Sequence, residues 1–314
     1  MTKVFIDGQS GTTGLRLAER LQARGDLELL SISEADRKNP AVRAELLNAA
    51  DIAFLCLPDD AAREAVSLVR NERTVLIDTS TAHRVDPAWV YGMPELPGQR
   101  DKIRQARRVA NPGCHASGVI ALLAPLLRAG LLDPAADLTC TSLTGYSGGG
   151  KKMIAEYEAE GRSSLLEGGR LYALGQSHKH LPEIMACCAA LEKPPVFNPI
   201  VTPCFAGMEV ILGLHAGQLR GSLRDAAAAY ESFYAGSRLI RFVSGADESG
   251  FLSSAALASR DDMEITLAGS EDRFNVIARF DNLGKGASGA AIQNMNLIMG
   301  VDETTGLILK EENA

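Results

Sequence analysis

The stretch Val109-Ala-Asn-Pro-Gly-Cys-His-Ala-Ser-Gly118 sets a cysteine directly after turn residues and directly before Val119, Ile120, Leu122, Leu123, Leu126 and Leu127, which recur at helical spacing. Cys114 therefore falls at a helix start. Unpaired N–H groups and the positive end of the dipole favour an anion there, so a thiol so placed ionises more readily to the nucleophilic thiolate. The competing reading is a small buried residue in a tight turn. An attacking thiolate needs a proton partner, and Gln176-Ser-His-Lys-His-Leu-Pro-Glu-Ile184 offers one. His178 or His180 suits an acid/base, Glu183 can orient the ring, and Pro182 marks the first position of a helix. Which histidine takes the proton is open, with a preference for His178. No third strong ligand lies nearby, so no metal is expected.

These groups need elements to hold them. A strand over residues 3–7 runs into Gly8-Gln-Ser-Gly-Thr-Thr-Gly14, after which Leu15, Leu17, Ala18 and Leu21 form a helical face. Glycines in such a turn let the backbone approach a pyrophosphate, and the next helix points N–H groups at it; Ser10, Thr12 and Thr13 add donors to those of Gly8, Gly11 and Gly14. The second strand, residues 27–32, ends at Ser33, Glu34, Asp36, Arg37 and Lys38. An acid there suits the ribose of NAD, while Ser33 with Arg37 suits the 2′-phosphate of NADP, and both remain open. Apolar runs at 52–57 and 74–78 alternate with helices opened by Asn39-Pro40 and by Asp59 or Asp60. That alternation predicts a doubly wound parallel sheet with ligands at the strands' carboxyl ends. Arg84, just beyond the strand ending at Asp78, is a candidate bidentate clamp for a substrate anion, or a surface ion pair.

Past the cysteine helix the pattern changes. Residues 138–144 alternate with period two, and 208–215, 263–268 and 274–280 read as further strands, with a helix from Ser222 to about Tyr234. These define an α+β second domain. The glycine-rich loop 145–152, with Gly149 and Lys151, is a candidate wrap for an anionic substrate; the alternative is a flexible hairpin connection. Residues 281–289, including Asn282 and Gly286, open an apolar helix and form a second cofactor-facing candidate.

Composition narrows the class. Thirty-two basic against 39 acidic residues give a net charge of −7, without a long basic run, which argues against a nucleic-acid partner. Six cysteines in 314 residues, without a Cys-x-x-Cys pair, fit a reduced protein better than a disulfide framework. Neither a leader nor a membrane-length apolar run is evident, so a cytoplasmic protein without a membrane partner is expected.

Taken in order, Gly8–Gly14, Asn111-Pro-Gly-Cys114, His178-Lys-His-Leu-Pro-Glu-Ile184 and residues 281–296 resemble the N-acetyl-γ-glutamyl-phosphate reductase family, in its shorter form. The resemblance implies a Rossmann-type doubly wound parallel sheet from residues 1–113 plus about 286–314, with an inserted α+β catalytic and dimerisation domain at 114–285. It further implies NADP(H) as cofactor, a homodimer or homotetramer, Cys114 as nucleophile and the histidine pair beside it. The reaction implied is reduction of a small acyl phosphate, N-acetyl-L-glutamyl 5-phosphate, to the semialdehyde through a cysteine thioester, with release of phosphate. Aspartate-semialdehyde dehydrogenase shares that fold and thioester chemistry, but the His-Lys-His-Leu-Pro-Glu pattern resembles the acetylglutamyl enzymes. Two readings from other classes are a cysteine hydrolase, which the glycine turn argues against, and a non-catalytic dinucleotide sensor.

Overall fold

Period-two alternation along the first strands sends apolar side chains to two opposite layers, and this builds the first of two compact units, Met1–Gly113 with Ala287–Leu307. The computed structural model describes residues 1–310. The unit runs β1 (Thr2–Asp7), α1 (Thr12–Gln22), β2 (Leu27–Leu30), α2 (Pro40–Ala49), β3 (Ile52–Leu55), α3 (Asp59–Leu68), β4 (Val75–Asp78), β5 (Val90–Tyr91), α4 (Gln99–Gln105) and β6 (Arg108–Ala110). Its six strands lie parallel in the order β2-β1-β3-β4-β6-β5. Val4, Ile6, Phe54, Ile77 and Val109 pack with Leu17 and Leu21 of α1, Ile103 of α4 and Met295 of the closing helix Gly289–Met299. Phe5, Ala53, Leu55 and Leu76 pack with Leu47 of α2 and Ala65 of α3. Both sheet faces are covered, so the sheet is doubly wound.

The second unit comprises Cys114–Gly286 and the described residues from Ile308 onward. It contains α5 (Cys114–Arg128), β7 (Thr139–Gly145), α6 (Gly150–Glu158), β8 (Arg170–Leu171), α7 (Leu181–Cys187), β9 (Val196–Thr202), β10 (Met208–His215), α8 (Leu223–Phe233), β11 (Ile240–Phe242), β12 (Met263–Gly269) and β13 (Arg273–Phe280); α9 is the closing helix Gly289–Met299 of the first unit. The strands form a mixed sheet, β11-β12-β13-β10-β7-β9-β8. Helix α5 is apolar nearly all round, as a helix buried on most sides must be. Gly118 lets it close on the sheet, since a Cβ there would lie 2.4 Å from a Val210 methyl. Pro125 within α5 has no N–H to give the Ala121 carbonyl, and the Tyr234 hydroxyl donates to that carbonyl at 2.8 Å instead. Among the described residues no helix is long and apolar enough to cross a membrane.

The structure departs from the sequence reading in several places. Ile308 groups with the second unit rather than the first, because its N–H donates to the Asp261 carboxylate and its carbonyl accepts the Asp261 N–H, both at 2.7 Å. Residues 311–314 of the expected first domain lie outside the described residues. The loop expected at 145–152 is a 3-10 turn, Tyr146–Gly149, leading into α6. Strand β9 carries Pro199, a residue that argues against a strand; it is tolerated in a strand bordered only by parallel β7 and the two-residue β8.

Candidate active site

In the first unit the glycine turn is built around two positions where no side chain fits. Gly8 stands at φ +86°, and a Cβ there would lie 2.3 Å from the Cys56 carbonyl oxygen. A Cβ on Gly14 would lie 2.5 Å from the Gly8 carbonyl oxygen and 2.8 Å from the Cα of Gln9. Gly11 caps α1 without a side-chain hydrogen bond. The Thr12 hydroxyl oxygen is buried with no hydrogen-bond partner among the described residues. A helix N-terminus without a side-chain cap, beside an orphaned hydroxyl, is the cradle a pyrophosphate fills, so these residues fit a dinucleotide. Thr13 is half-buried on the first turn of α1. Beyond β2, Arg37 donates to the Ser10 hydroxyl at 3.3 Å and pairs with Glu34 at 2.8 Å, while the Ser33 hydroxyl donates to Asp36 at 2.6 Å. The fold thus brings Ser10 and Arg37 together from two loops.

Arg84 is a scaffold residue of this unit: its Nε donates to the Asn111 carbonyl at 3.0 Å and a terminal nitrogen to the Thr79 carbonyl at 3.1 Å. Asn111 also gives its N–H to the Asp78 carbonyl at 2.7 Å and its side-chain amide to the Ala287 carbonyl at 3.1 Å. The Asn-Pro-Gly turn before the cysteine is therefore anchored at several points.

In the second unit Cys114 is the first residue of α5 and is half-buried. Gly286 abuts it: a Cβ on Gly286 would lie 2.9 Å from the Cβ of Cys114. The neighbouring Lys285 is a buried cation in the same turn. Asn282 is a scaffold residue, accepting the Gly207 N–H at 3.0 Å and donating to the Ser147 hydroxyl at 3.0 Å. Those two partners lie within the second unit, so Asn282 stands in the same turn as Gly286, close to the start of α5. Gly149 caps α6 and Lys151 is exposed on its first turn, so the predicted wrapping loop is a helix start.

His178 and His180 stand with ring centroids 4.7 Å apart. The backbone N–H of His180 donates to Nδ1 of His178 at 3.2 Å. Burial, helped by the charge of Lys179, pushes His178 down to about 4, so its ring is neutral near pH 7. The Glu183 carboxylate lies 3.9 Å from Nε2 of His180. His180, not Leu181, is the residue that precedes α7, and Pro182 falls at its second position.

A third histidine, absent from the sequence reading, completes the cluster. His115 sits 5.4 Å from His178 and 5.6 Å from His180, ring to ring. Its Nδ1 is 2.7 Å from the Ser142 hydroxyl and its Nε2 is 2.7 Å from the Tyr172 hydroxyl. The one available signal was its place beside the cysteine. Burial, with the charge of Cys114 adding to it, raises the Tyr172 phenol. Cys140 and Cys188 are buried and pushed up to about 12. Among the described residues no group of three His, Cys, Asp or Glu is arranged to hold a metal ion.

A parallel doubly wound sheet with a glycine turn, and a mixed-sheet unit that holds both a helix-terminal cysteine and a cluster of three histidines, define an oxidoreductase of the semialdehyde dehydrogenase class. Residues 33–106 match the family described as "Semialdehyde dehydrogenase, NAD binding domain" and residues 114–282 "Semialdehyde dehydrogenase, dimerisation domain". Solved structures of similar fold include aspartate semialdehyde dehydrogenase from Francisella tularensis, at TM-score 0.71 and 17% identity over 95% of this chain and 100% of that one. The Candida albicans enzyme, solved with NADP, has TM-score 0.67 and 16% identity over 95% and 98%. Much nearer in sequence are the N-acetyl-gamma-glutamyl-phosphate reductases of Brucella ovis, 47% identical over 95% of this chain and 99% of that one, and of Sinorhizobium fredii, 46% over 95% and 98%. The chain belongs to the N-acetyl-gamma-glutamyl-phosphate reductase family.

Proposed function

We propose that this protein reduces N-acetyl-L-glutamyl 5-phosphate to N-acetyl-L-glutamate 5-semialdehyde with release of phosphate, a step of arginine biosynthesis, using NADP(H). The observation that carries the chemistry is the half-buried Cys114 at the first position of α5, in the unit that holds the His115–His178–His180 cluster. The Cys114 thiolate attacks the acyl carbon; the new C–S bond replaces the bond to the phosphate oxygen, and inorganic phosphate leaves. When bound, the nicotinamide would supply the hydride that the thioester carbonyl needs. The charge then builds on the carbonyl oxygen. His178 is neutral and has its Nδ1 lone pair occupied, so its proton resides on Nε2 and serves as a donor to that oxygen, as neutral imidazoles do at other carbonyl sites. His180, beside the Glu183 carboxylate, is assigned the proton transfer, which revises the preference for His178 as the acid/base. Collapse of the hemithioacetal breaks the C–S bond, releases the aldehyde and restores the thiolate.

The residues that would hold the cofactor are Gly8, Gly11 and Thr12 at the pyrophosphate, with Ser10 and Arg37 at a 2′-phosphate. The dimerisation family matched by the second unit supports a homo-oligomer, either a homodimer or a homotetramer. The deciding experiment follows NADP+ reduction with N-acetylglutamate semialdehyde and phosphate, run against aspartate semialdehyde. Preference for the acetylated aldehyde is the expected result, and turnover of aspartate semialdehyde alone would move the assignment to the other enzyme of this fold.

A further inference from the structure

His115 follows the nucleophile in sequence, yet it is fully enclosed, packed edge-on against Phe197 at 5.6 Å and against the two histidines of the cluster. Such a residue needs a reason to be polar. Both of its ring nitrogens are used, Nδ1 by Ser142 and Nε2 by Tyr172, each at 2.7 Å. Burial, helped in acid by a protonated His178 and by the charge of Lys179, pushes its ring down to about 3, so it is neutral near pH 7. A neutral imidazole has one donor and one acceptor nitrogen, and the choice between them is fixed by its neighbours.

Ser142 makes that choice. It is fully buried on β7, and His115 is the one partner its hydroxyl is given among the described residues. If the hydroxyl accepted from Nδ1–H, its own hydrogen would be buried without an acceptor; if it donates to Nδ1, that hydrogen is satisfied. Donation by Ser142 leaves the ring proton on Nε2, which donates to the Tyr172 oxygen. The Tyr172 hydrogen is then the free end of the chain. Tyr172 is only half-buried, and its hydroxyl is held 2.7 Å from the ring of His115, the residue directly after Cys114.

We infer that Ser142 and His115 form a positioning relay that turns the Tyr172 hydroxyl hydrogen toward the oxygen of an acyl group carried on Cys114. Tyr172 touches the reacting oxygen, and His115 and Ser142 act through it. Each hydrogen bond in the chain polarises the next, which strengthens the final donor at no cost in net charge. The inference rests on the proposed thioester chemistry for the role of Tyr172, but the state of His115 belongs to the resting protein.

The test has two arms. Nitrogen-15 spectra of histidine-labelled full-length protein, with the His115 signal assigned from His115→Phe, report its tautomer directly. The expected result is a neutral ring with its proton on Nε2 that does not titrate between about pH 5 and 8; a proton on Nδ1, or titration in that range, overturns the relay whatever the substrate proves to be. In the second arm, kcat and KM are measured for Tyr172→Phe, His115→Phe and the double variant, with folding checked by circular dichroism. Losing an oxyanion donor costs about 10²–10³-fold in kcat, so Tyr172→Phe is expected to fall in or just below that range with little change in KM. His115→Phe should lose about 10-fold, and nothing more once Tyr172 is already Phe. Losses in kcat that simply multiply in the double variant would make His115 a packing residue and overturn the relay. Activity that survives Cys114→Ser would instead reject the thioester reading, so the two failures are told apart.

Discussion

The backbone N–H of His180 occupies Nδ1 of His178 at 3.2 Å, so the first histidine of the pair is pinned by the second. The bond assigns opposite roles to two residues that sequence spacing leaves equivalent. His178 keeps its proton on Nε2 and acts as a fixed donor, whereas His180 is placed beside a buried carboxylate, Glu183, at 3.9 Å.

The expected kinetic signature follows from that division. His180→Ala should lower kcat by about 10²–10⁴-fold and remove the acid limb or the basic limb of the pH–rate profile, because the group that titrates during turnover is gone. His178→Ala should lower kcat without displacing the limbs that remain. Stopped turnover measured from pH 5.5 to 9 separates them, and a profile unchanged in His180→Ala would return the proton transfer to His178.

Cys114→Ser is expected to lose turnover by several orders of magnitude while NADPH binding, followed by fluorescence, stays near the parent value. A hydroxyl at neutral pH is a far weaker nucleophile than a helix-terminal thiolate. In the parent protein a mild alkylating agent should label Cys114 well before Cys140 and Cys188, which burial holds up at about 12. Peptide mass spectrometry after brief labelling checks the order.

Arg37→Ala should weaken NADPH by about 10- to 100-fold and leave NADH nearly unaffected, the range expected for a charge-assisted hydrogen bond to phosphate. The motivation is the contact that joins Arg37 to Ser10 at 3.3 Å, across two loops flanking a ribose position. Equal losses for both cofactors, in titrations of the purified protein, would place Arg37 outside the 2′-phosphate site.

The parts of this molecule that were legible in the sequence are those written in local chemistry. The unbroken apolar runs Val4-Phe5-Ile6 and Ile52-Ala-Phe-Leu55 give strands buried on both faces, and Gly8, Gly11 and Gly14 mark a turn whose constraints are backbone collisions of 2.3 and 2.5 Å. Asn-Pro-Gly before an apolar helix places Cys114 at its start. What stayed illegible depends on long-range pairing. Tyr172 and Ser142 lie far from His115 in sequence and meet it only because β7 and β9 pair in parallel and the backbone of Tyr172 joins β9 through Pro199. Arg84 is a ligand candidate because it follows a strand's carboxyl end, and Asn282 because it stands in a glycine-rich turn. The contacts they make inside the protein, with the carbonyls of Asn111 and Thr79, the Gly207 N–H and the Ser147 hydroxyl among them, have no sequence signature.

Acid should destabilise this protein earlier than its carboxylates alone would dictate. His115 and His178 are held neutral by burial, at about 3 and about 4, whereas in the unfolded chain a histidine titrates near 6.5. Below that value the unfolded state takes up protons that the folded state refuses, so stability is fully present above about pH 6.5 and is lost as pH falls toward the folded values. Each such ring contributes a slope approaching about 1.4 kcal/mol per pH unit within its window. The raised carboxyl groups of Asp7 and Glu209 act in the opposite sense, since the folded state binds their protons more tightly. Comparing His115→Phe with the parent cancels these common contributions. The thermal midpoint of the variant, measured from pH 7.5 to 5, is therefore expected to fall less steeply on acidification than that of the parent, even if the variant starts lower. Parallel curves would mean that His115 becomes protonated in the folded protein, and that its enclosure by Phe197 and the neighbouring histidines admits a charge.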